Sequence, residues 1–443
     1  MIFDRARLFL AFWKEHGAAV AISLIRTKLG NALAGRPVFS KPAPGTADGR
    51  PVTVTELALW SLPALRPLPT FLIPESTRPR ISMVTDSIGS SSLFGGVGTA
   101  LLFASQLANR MGATLRVVTR TEPPSPANAL QVLNAYGIKL NHEMQFAFAP
   151  VTAPSAGAPT WGELDLQPGE IFITTSWWST AATLPSVPHA SIIYLLQEDE
   201  RMFHPFGEER LRCEEVLRNR SIRFVINTRL LFDHMIASGL EHFSTQAQWF
   251  EPAFPPALFH EREREPAGKR RLFFYARPGN PRNLFGIGLA VIERAIDEGS
   301  LDLDRWDIFF VGSGIPKLIF GDGYQPIRCE GLGWKAYADL IGTIDLGLSL
   351  MYTPHPSYPP FDLAASGAVV VTNRFGNKQD LSGYSRNILC ADLDVESLLE
   401  GLKAGIALAE DKETRRRNHL ANGLGTNWPE AFEATLQALT AGR

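Results

Sequence analysis

The chain has 443 residues, so two or three hydrophobic cores are expected rather than one. Its 43 Lys and Arg against 45 Asp and Glu give a net charge of −2, which excludes a general nucleic-acid binder relying on phosphate neutralisation. With 45% hydrophobic and 20% charged residues, it carries too much apolar material for a disordered chain and reads as an ordinary soluble globular protein.

Residues 9–25 are rich in apolar side chains, but Lys14, Glu15 and His16 interrupt them and Arg26 and Lys28 close them. The unbroken run over 17–25 is half or less of the ~20 residues that a spanning helix requires, and no secretory cleavage site follows. A helix packed on the protein body is expected, with a helix lying in the membrane plane as the alternative. Residues 36–79 are dense in proline, so 1–79 reads as a leading helix and an extended arm.

Residues 80–86 form a short apolar run, followed by a Gly/Ser-rich loop, a helical stretch over 99–111 and a strand over 114–119. That order is the unit of a parallel sheet. Buried strands are expected at 170–174, 190–196 and 223–227, with a helix at 206–217. The charged run over 261–271 reads as a solvated linker. After it come strands at 271–276, 306–311, 346–349 and 368–372, alternating with helices at 283–298, 336–343 and 361–366. The tail is helical from Glu396, and Asn427 with Pro429 starts a helix over 431–439. The expected domains are 80–260, 270–425 and a C-terminal helix, 426–443, returning towards the first. Both domains are α/β and doubly wound, which puts a ligand cleft between them at the strand C-terminal ends.

Cys213, Cys329 and Cys390 are distant in sequence and form no CxxC pair, so neither a disulfide framework nor a structural zinc site is expected. A reducing cytoplasm fits this usage. No HExxH or DxD pattern suggests a metal.

Three segments carry candidate chemistry. In Gly95-Gly96-Val97-Gly98-Thr99, between strand and helix, glycines let the backbone approach an anion or hydroxyls, though a tight turn without a ligand is the alternative. Arg277 and Arg282 are five apart on a strand-end loop, a spacing suited to gripping a diphosphate, against the alternative of two exposed arginines. The proline-rich run from Ser349 to Thr372 holds His355, Ser357, Tyr358 and Asp362. Its helix is expected to offer amides to a phosphate, and Asp362, read in its first turn, to accept sugar hydroxyls or simply cap the helix. His355 is either a catalytic residue or an ordinary loop histidine.

Together these segments resemble the GT-B glycosyltransferases of the family 4-like group, over roughly residues 80 to 440. Gly95-Gly96-Val97 matches the family's Gly-Gly-Val loop, and Arg277 and Arg282 match its Arg and Lys five apart. Of its two glutamates before a Gly-x-Pro-Val-Val strand, Asp362 fills the second position, whereas Pro354 stands at the first. The run from Pro354 to Pro360, the segment Tyr194 to Phe203 and Phe254-Pro255 further resemble bacterial rhamnosyltransferases that build cell-surface rhamnans and S-layer glycans from dTDP-β-L-rhamnose.

The resemblance implies two facing Rossmann-like domains that transfer a sugar from a nucleoside diphosphate to a glycan or lipid-linked glycan, with no metal and no other cofactor. Arg277, Arg282, Asp362, His355 and Glu200 would be catalytic. Gly96, Val97, Lys335, Ser357 and Tyr358 would join Asp362 in donor binding. Gln197, Asp199 and Glu200 would bind the acceptor. The enzyme would work in the cytoplasm; peripheral membrane contact belongs to the alternative reading of the N-terminal helix, which lies outside the resemblance. A non-catalytic glycan- or nucleotide-binding scaffold and a sugar-nucleotide epimerase are the alternatives.

Overall fold

The computed structural model describes residues 49, 51–74, 78–89, 93, 95–151, 163–263, 268–321 and 323–441. The expected helix over 9–25 lies outside them. The chain divides into two units, residues 1–63 and 64–443. In the first, α1 (Val54–Ser61) opens with a capping box: the Glu56 amide donates to Thr53 Oγ1 at 3.1 Å, and the Thr53 amide donates to Glu56 Oε2 at 2.9 Å.

The second unit holds fifteen strands among the described residues: β1 (Thr70–Leu72), β2 (Arg80–Thr85), β3 (Thr114–Thr119), β4 (Gln145–Phe148), β5 (Leu164–Leu166), β6 (Ile171–Thr174), β7 (Ile192–Leu196), β8 (Arg223–Asn227), β9 (Ala247–Phe250), β10 (Arg270–Ala276), β11 (Trp306–Gly312), β12 (Ile327–Glu330), β13 (Leu346–Leu348), β14 (Val369–Asn373) and β15 (Ile388–Ala391). Its principal helices are α2 (Gly96–Arg110), α3 (Pro126–Ala135), α4 (Trp177–Thr183), α5 (Glu208–Leu217), α6 (Arg229–Ala237), α7 (Phe243–Gln246), α8 (Phe285–Asp297), α9 (Trp334–Ile341), α10 (Tyr358–Ala365), α11 (Val395–Glu410), α12 (Lys412–Leu420) and α13 (Trp428–Thr440).

Two parallel sheets dominate, in the orders β4-β3-β2-β6-β7-β8-β9 and β12-β11-β10-β13-β14-β15. Their central strands read as mostly apolar runs because both faces are covered. In β7, Ile193 and Leu195 enter one core with α2, α3 and α13, while Ile192, Tyr194 and Leu196 enter another with α4, α5 and α6. In β14, Val369 and Val371 pack with α8 and α11, and Val370 packs with α9 and α10. Strand order reverses between β2 and β6 and between β10 and β13, and crevices form at such switch points.

The last helix, α13, rejoins the first sheet. Asn427 caps it, and Trp428, Phe432, Leu436 and Leu439 recur along one face that enters the β2–β9 core. Phe432 meets Phe103 and Phe250 edge-on at 5.3 and 4.9 Å between ring centroids.

Sequence periodicity missed the edge strands β4, β9, β12 and β15, none of which is buried along its whole length, so they need no continuous apolar run. It also missed the short parallel pair β1 and β5. Helix α10 begins at Tyr358, three residues before the expected start. Pro359 and Pro360 stand in its first turn, where the missing amides have no intrahelical partner to lose.

Candidate active site

Loops at the C-terminal edges of the two sheets enclose a cleft of about 600 Å³. The first domain contributes Gly95, Gly96, Gly98 and Thr99; the second contributes Tyr275, Arg277, Gly312, Ser313, Ser357, Tyr358 and Asp362. Tyr136, Phe254, Phe259, Trp334 and Trp428 give it an aromatic wall, with Tyr136 and Trp334 edge-on at 5.2 Å. Such a mixture of rings and a few converging polar groups suits a ligand with a flat base and many hydroxyls.

Backbone geometry explains two of the glycines. Gly95, just before α2, has φ +61°, a conformation that costs other residues. At the end of β11, a Cβ on Gly312 would sit 1.9 Å from the Ala276 carbonyl oxygen, so only glycine lets that loop pass. Gly96 is held from behind: its carbonyl accepts from Gln197 Nε2 at 2.6 Å.

Tyr358 ties the domains together. Its hydroxyl accepts from Asn227 Nδ2 at 2.8 Å and bonds Thr99 Oγ1, which itself donates to the Gly95 carbonyl at 3.0 Å. Ser357, immediately before, has φ +72° and also lines the cleft.

Asp362 stands in the second turn of α10, not the first, so it is not a helix cap. It lines the cleft, is buried, and accepts from the Tyr337 hydroxyl at 3.0 Å. Burial pushes its carboxyl up to about 8, only partly countered by Tyr337. The prolines at 359 and 360 carry no amide hydrogen, so this helix start has fewer donors for a phosphate than expected.

The two arginines have different settings. Arg277 lines the cleft, donates to the Tyr275 hydroxyl at 3.3 Å, and has no carboxylate within ion-pair distance among the described residues. Arg282 is not part of the cleft wall. It pairs with Glu198 Oε2 at 3.1 Å, and its guanidinium lies 4.3 Å from the Phe203 ring centre.

His355 is buried rather than exposed, and its amide donates to Thr353 Oγ1 at 3.2 Å. Its Nδ1 accepts from the Ser357 amide at 2.9 Å, which leaves the neutral ring's proton on Nε2, a buried atom with no partner among the described residues. Burial, reinforced by the Lys378 and Arg282 charges, pushes it down to about 3, so it is neutral at physiological pH.

The 197–200 segment is mostly occupied within its own domain. Asp199 pairs with Arg201 at 2.7 Å and with His234 at 3.3 Å; despite its burial these bonds hold it down at about 2. Glu200 accepts from the Trp177 amide at 2.7 Å and is buried, which pushes it up to about 8. Neither lines the cleft. Lys335 is exposed on α9, and Val97 packs partly against the first core.

Sequence reasoning missed Tyr337, Asn227, Glu198 and Lys378. Glu198 lies within the segment from Tyr194 to Phe203, but nothing local distinguishes it from its acidic neighbours. Tyr337 and Lys378 are identified only by the partners that tertiary structure supplies.

Comparison with known proteins bears on these observations. Residues 80–229 match the family model described as WsaF, N-terminal domain, and residues 270–403 match WsaF, C-terminal domain. The chain carries both domains of the WsaF family, in order. It is 28% identical over 277 residues to the O-antigen biosynthesis protein RfbC of Myxococcus xanthus, covering 61% of this chain but only 20% of that protein. Thus the chain spans about a fifth of the length of the curated relative it matches.

Among solved structures, sucrose-phosphate synthase from Thermosynechococcus elongatus superposes with TM-score 0.55 at 14% identity, covering 82% of this chain and 98% of that one. HepE from Anabaena, solved with UDP and glucose, gives TM-score 0.56 at 11% identity, covering 82% and 99%. The WsaF-like chain therefore has the GT-B fold.

Proposed function

We propose that this WsaF-like chain is a glycosyltransferase of cell-surface polysaccharide assembly, moving L-rhamnose from dTDP-β-L-rhamnose to a glycan acceptor. The observation that carries the reading is the cleft between two facing parallel sheets, which combines Arg277, free of any carboxylate partner among the described residues, with the buried carboxyl of Asp362. Support comes also from the RfbC likeness, whose name places that protein in O-antigen biosynthesis, and from HepE, a structural neighbour solved with UDP and glucose.

In this reading the donor lies along the second domain's strand ends. An acceptor hydroxyl oxygen bonds to the anomeric carbon as the bond from that carbon to the diphosphate oxygen breaks; the nucleoside diphosphate departs with the electron pair, and the hydroxyl proton passes to the released diphosphate oxygen, directly or through water. Arg277 stabilises the growing negative charge on the leaving diphosphate, joined by Arg282 once its pair with Glu198 gives way, an electrostatic contribution that is often the largest in catalysis. Asp362 orients donor hydroxyls. At neutral pH its carboxyl is mostly protonated before the donor binds, so it can donate as well as accept. The aromatic wall packs against base and sugar faces.

The reading assigns no metal to the reaction. Peripheral association with the cytoplasmic face of a membrane is part of it, where a lipid-linked acceptor would be met. Among the described residues, no helix is long and apolar enough to cross a membrane.

The test is a panel of nucleoside diphosphate sugars screened by thermal shift, followed by transfer of labelled sugar to a rhamnose-containing acceptor. A ligand that binds the folded state raises the melting temperature by mass action. The largest shift is expected with dTDP-rhamnose. Firm binding without transfer would favour a scaffold instead, and preference for another sugar would correct the donor.

A further inference from the structure

Glu198 reaches out of the first domain's 197–200 segment into a positively charged pocket of the second. Its Oε2 accepts from Arg282 Nη1 at 3.1 Å and from the Thr353 hydroxyl. Lys378 is a second basic group here, lowered to about 8 by its burial and so still mostly charged at neutral pH. It is fully buried, with Nζ 3.4 Å from the Met351 carbonyl oxygen, and its charge acts on both Glu198 and His355. The partnerless Nε2 of His355 adds an unused buried donor.

Arg282 thus bonds the one carboxylate, Lys378 acts on it by charge without an ion-pair contact, and the buried His355 donor has nothing to bond among the described residues. A buried charge needs a partner, and an unmet buried donor costs free energy, so this pocket is undersatisfied by Glu198 alone. A diphosphate, with more charge and more oxygens, would satisfy it better. Solvent reaches the pair: the Glu198 and Arg282 side chains remain 18% and 20% exposed.

We propose that Glu198 is an internal competitor for an anion seat formed by Arg282, Lys378 and His355, and that the diphosphate of the donor enters by displacing it. This rests on the donor reading given above. Displacement breaks the Arg282–Glu198 link between the domains, so the same event that loads the donor frees the acceptor-side segment to move.

The experiment is calorimetric titration of inorganic pyrophosphate into the full chain and into Glu198→Gln. The glutamine keeps an oxygen to accept from Thr353 but loses the charge. Pyrophosphate should bind the variant about tenfold more tightly, and Arg282→Ala should abolish the gain. Equal or weaker binding by folded Glu198→Gln overturns the proposal, as does failure of pyrophosphate to bind either protein. If Glu198→Gln does not fold, Glu198→Asp, whose carboxylate is drawn back by one methylene, is read in the same way. Tighter pyrophosphate with no response to any nucleotide sugar keeps the competitor and removes the donor reading. Sugar transfer with unchanged pyrophosphate affinity does the reverse.

Discussion

Asn227, the last residue of β8, donates a 2.8 Å hydrogen bond to the hydroxyl of Tyr358, the first residue of α10, so the two domains share a bond beside the cleft. Thr99 already uses its proton on the Gly95 carbonyl, so the Tyr358 hydroxyl donates onward to Thr99. The resulting relay fixes the glycine loop relative to α10. Tyr358→Phe should cost about 1 to 2 kcal/mol of stability, because it leaves buried partners unmet. It should also lower kcat/KM about tenfold, through misplacement of the two cleft walls. Thermal melts and steady-state kinetics read the two effects; wild-type kinetics would mean that the relay does not position the site.

Arg277→Ala should weaken nucleoside diphosphate binding by about 1.5 to 3 kcal/mol, the contribution of a charge-assisted contact to phosphate. Calorimetry with dTDP measures this directly. Since no metal is assigned to the reaction, turnover should persist in excess chelator; complete loss there would require a divalent ion.

The raised carboxyls of Asp362 and Glu200 make a prediction about pH. Each is near 8 in the folded chain and near 4 when unfolded, so the fold retains protons that the unfolded chain releases. Their stabilising contribution is fully present below about pH 4 and is lost as pH rises through about 8. Asp362→Asn should flatten the fall in stability across that window in denaturant titrations, and should depress turnover more than stability. An unchanged pH slope would show that Asp362 is ionised in the fold.

Asp199 behaves in the opposite sense. Held at about 2 by Arg201 and His234, it stabilises the fold above about pH 4 and loses that contribution as pH falls towards 2. Asp199→Asn should destabilise the protein by about 3 kcal/mol, because it leaves the Arg201 charge buried without its partner. The KM for the acceptor should stay near the wild-type value; a large increase would return Asp199 to an acceptor-binding role.

The sheets were legible because buried parallel strands cannot avoid long apolar runs, and 114–119 and 223–227 coincide with β3 and β8. The place of the cleft followed from strand, loop and helix order, which brings Gly96, Arg277, Ser357, Tyr358 and Asp362 to one cleft. Pairings made across the fold left no such trace. That Arg282 would meet Glu198, that His234 would bond Asp199, and that Tyr337 would bond Asp362 depend on which loops face each other. Spacing along one segment carries no information about them.

The most direct measurement is a coupled assay in which release of nucleoside diphosphate and extension of a glycan acceptor are followed in the same reaction. The proposed function predicts one diphosphate released for each sugar added, with both signals lost together in Arg277→Ala. Diphosphate release without glycan extension, or a folded chain that binds no nucleotide sugar, would contradict it.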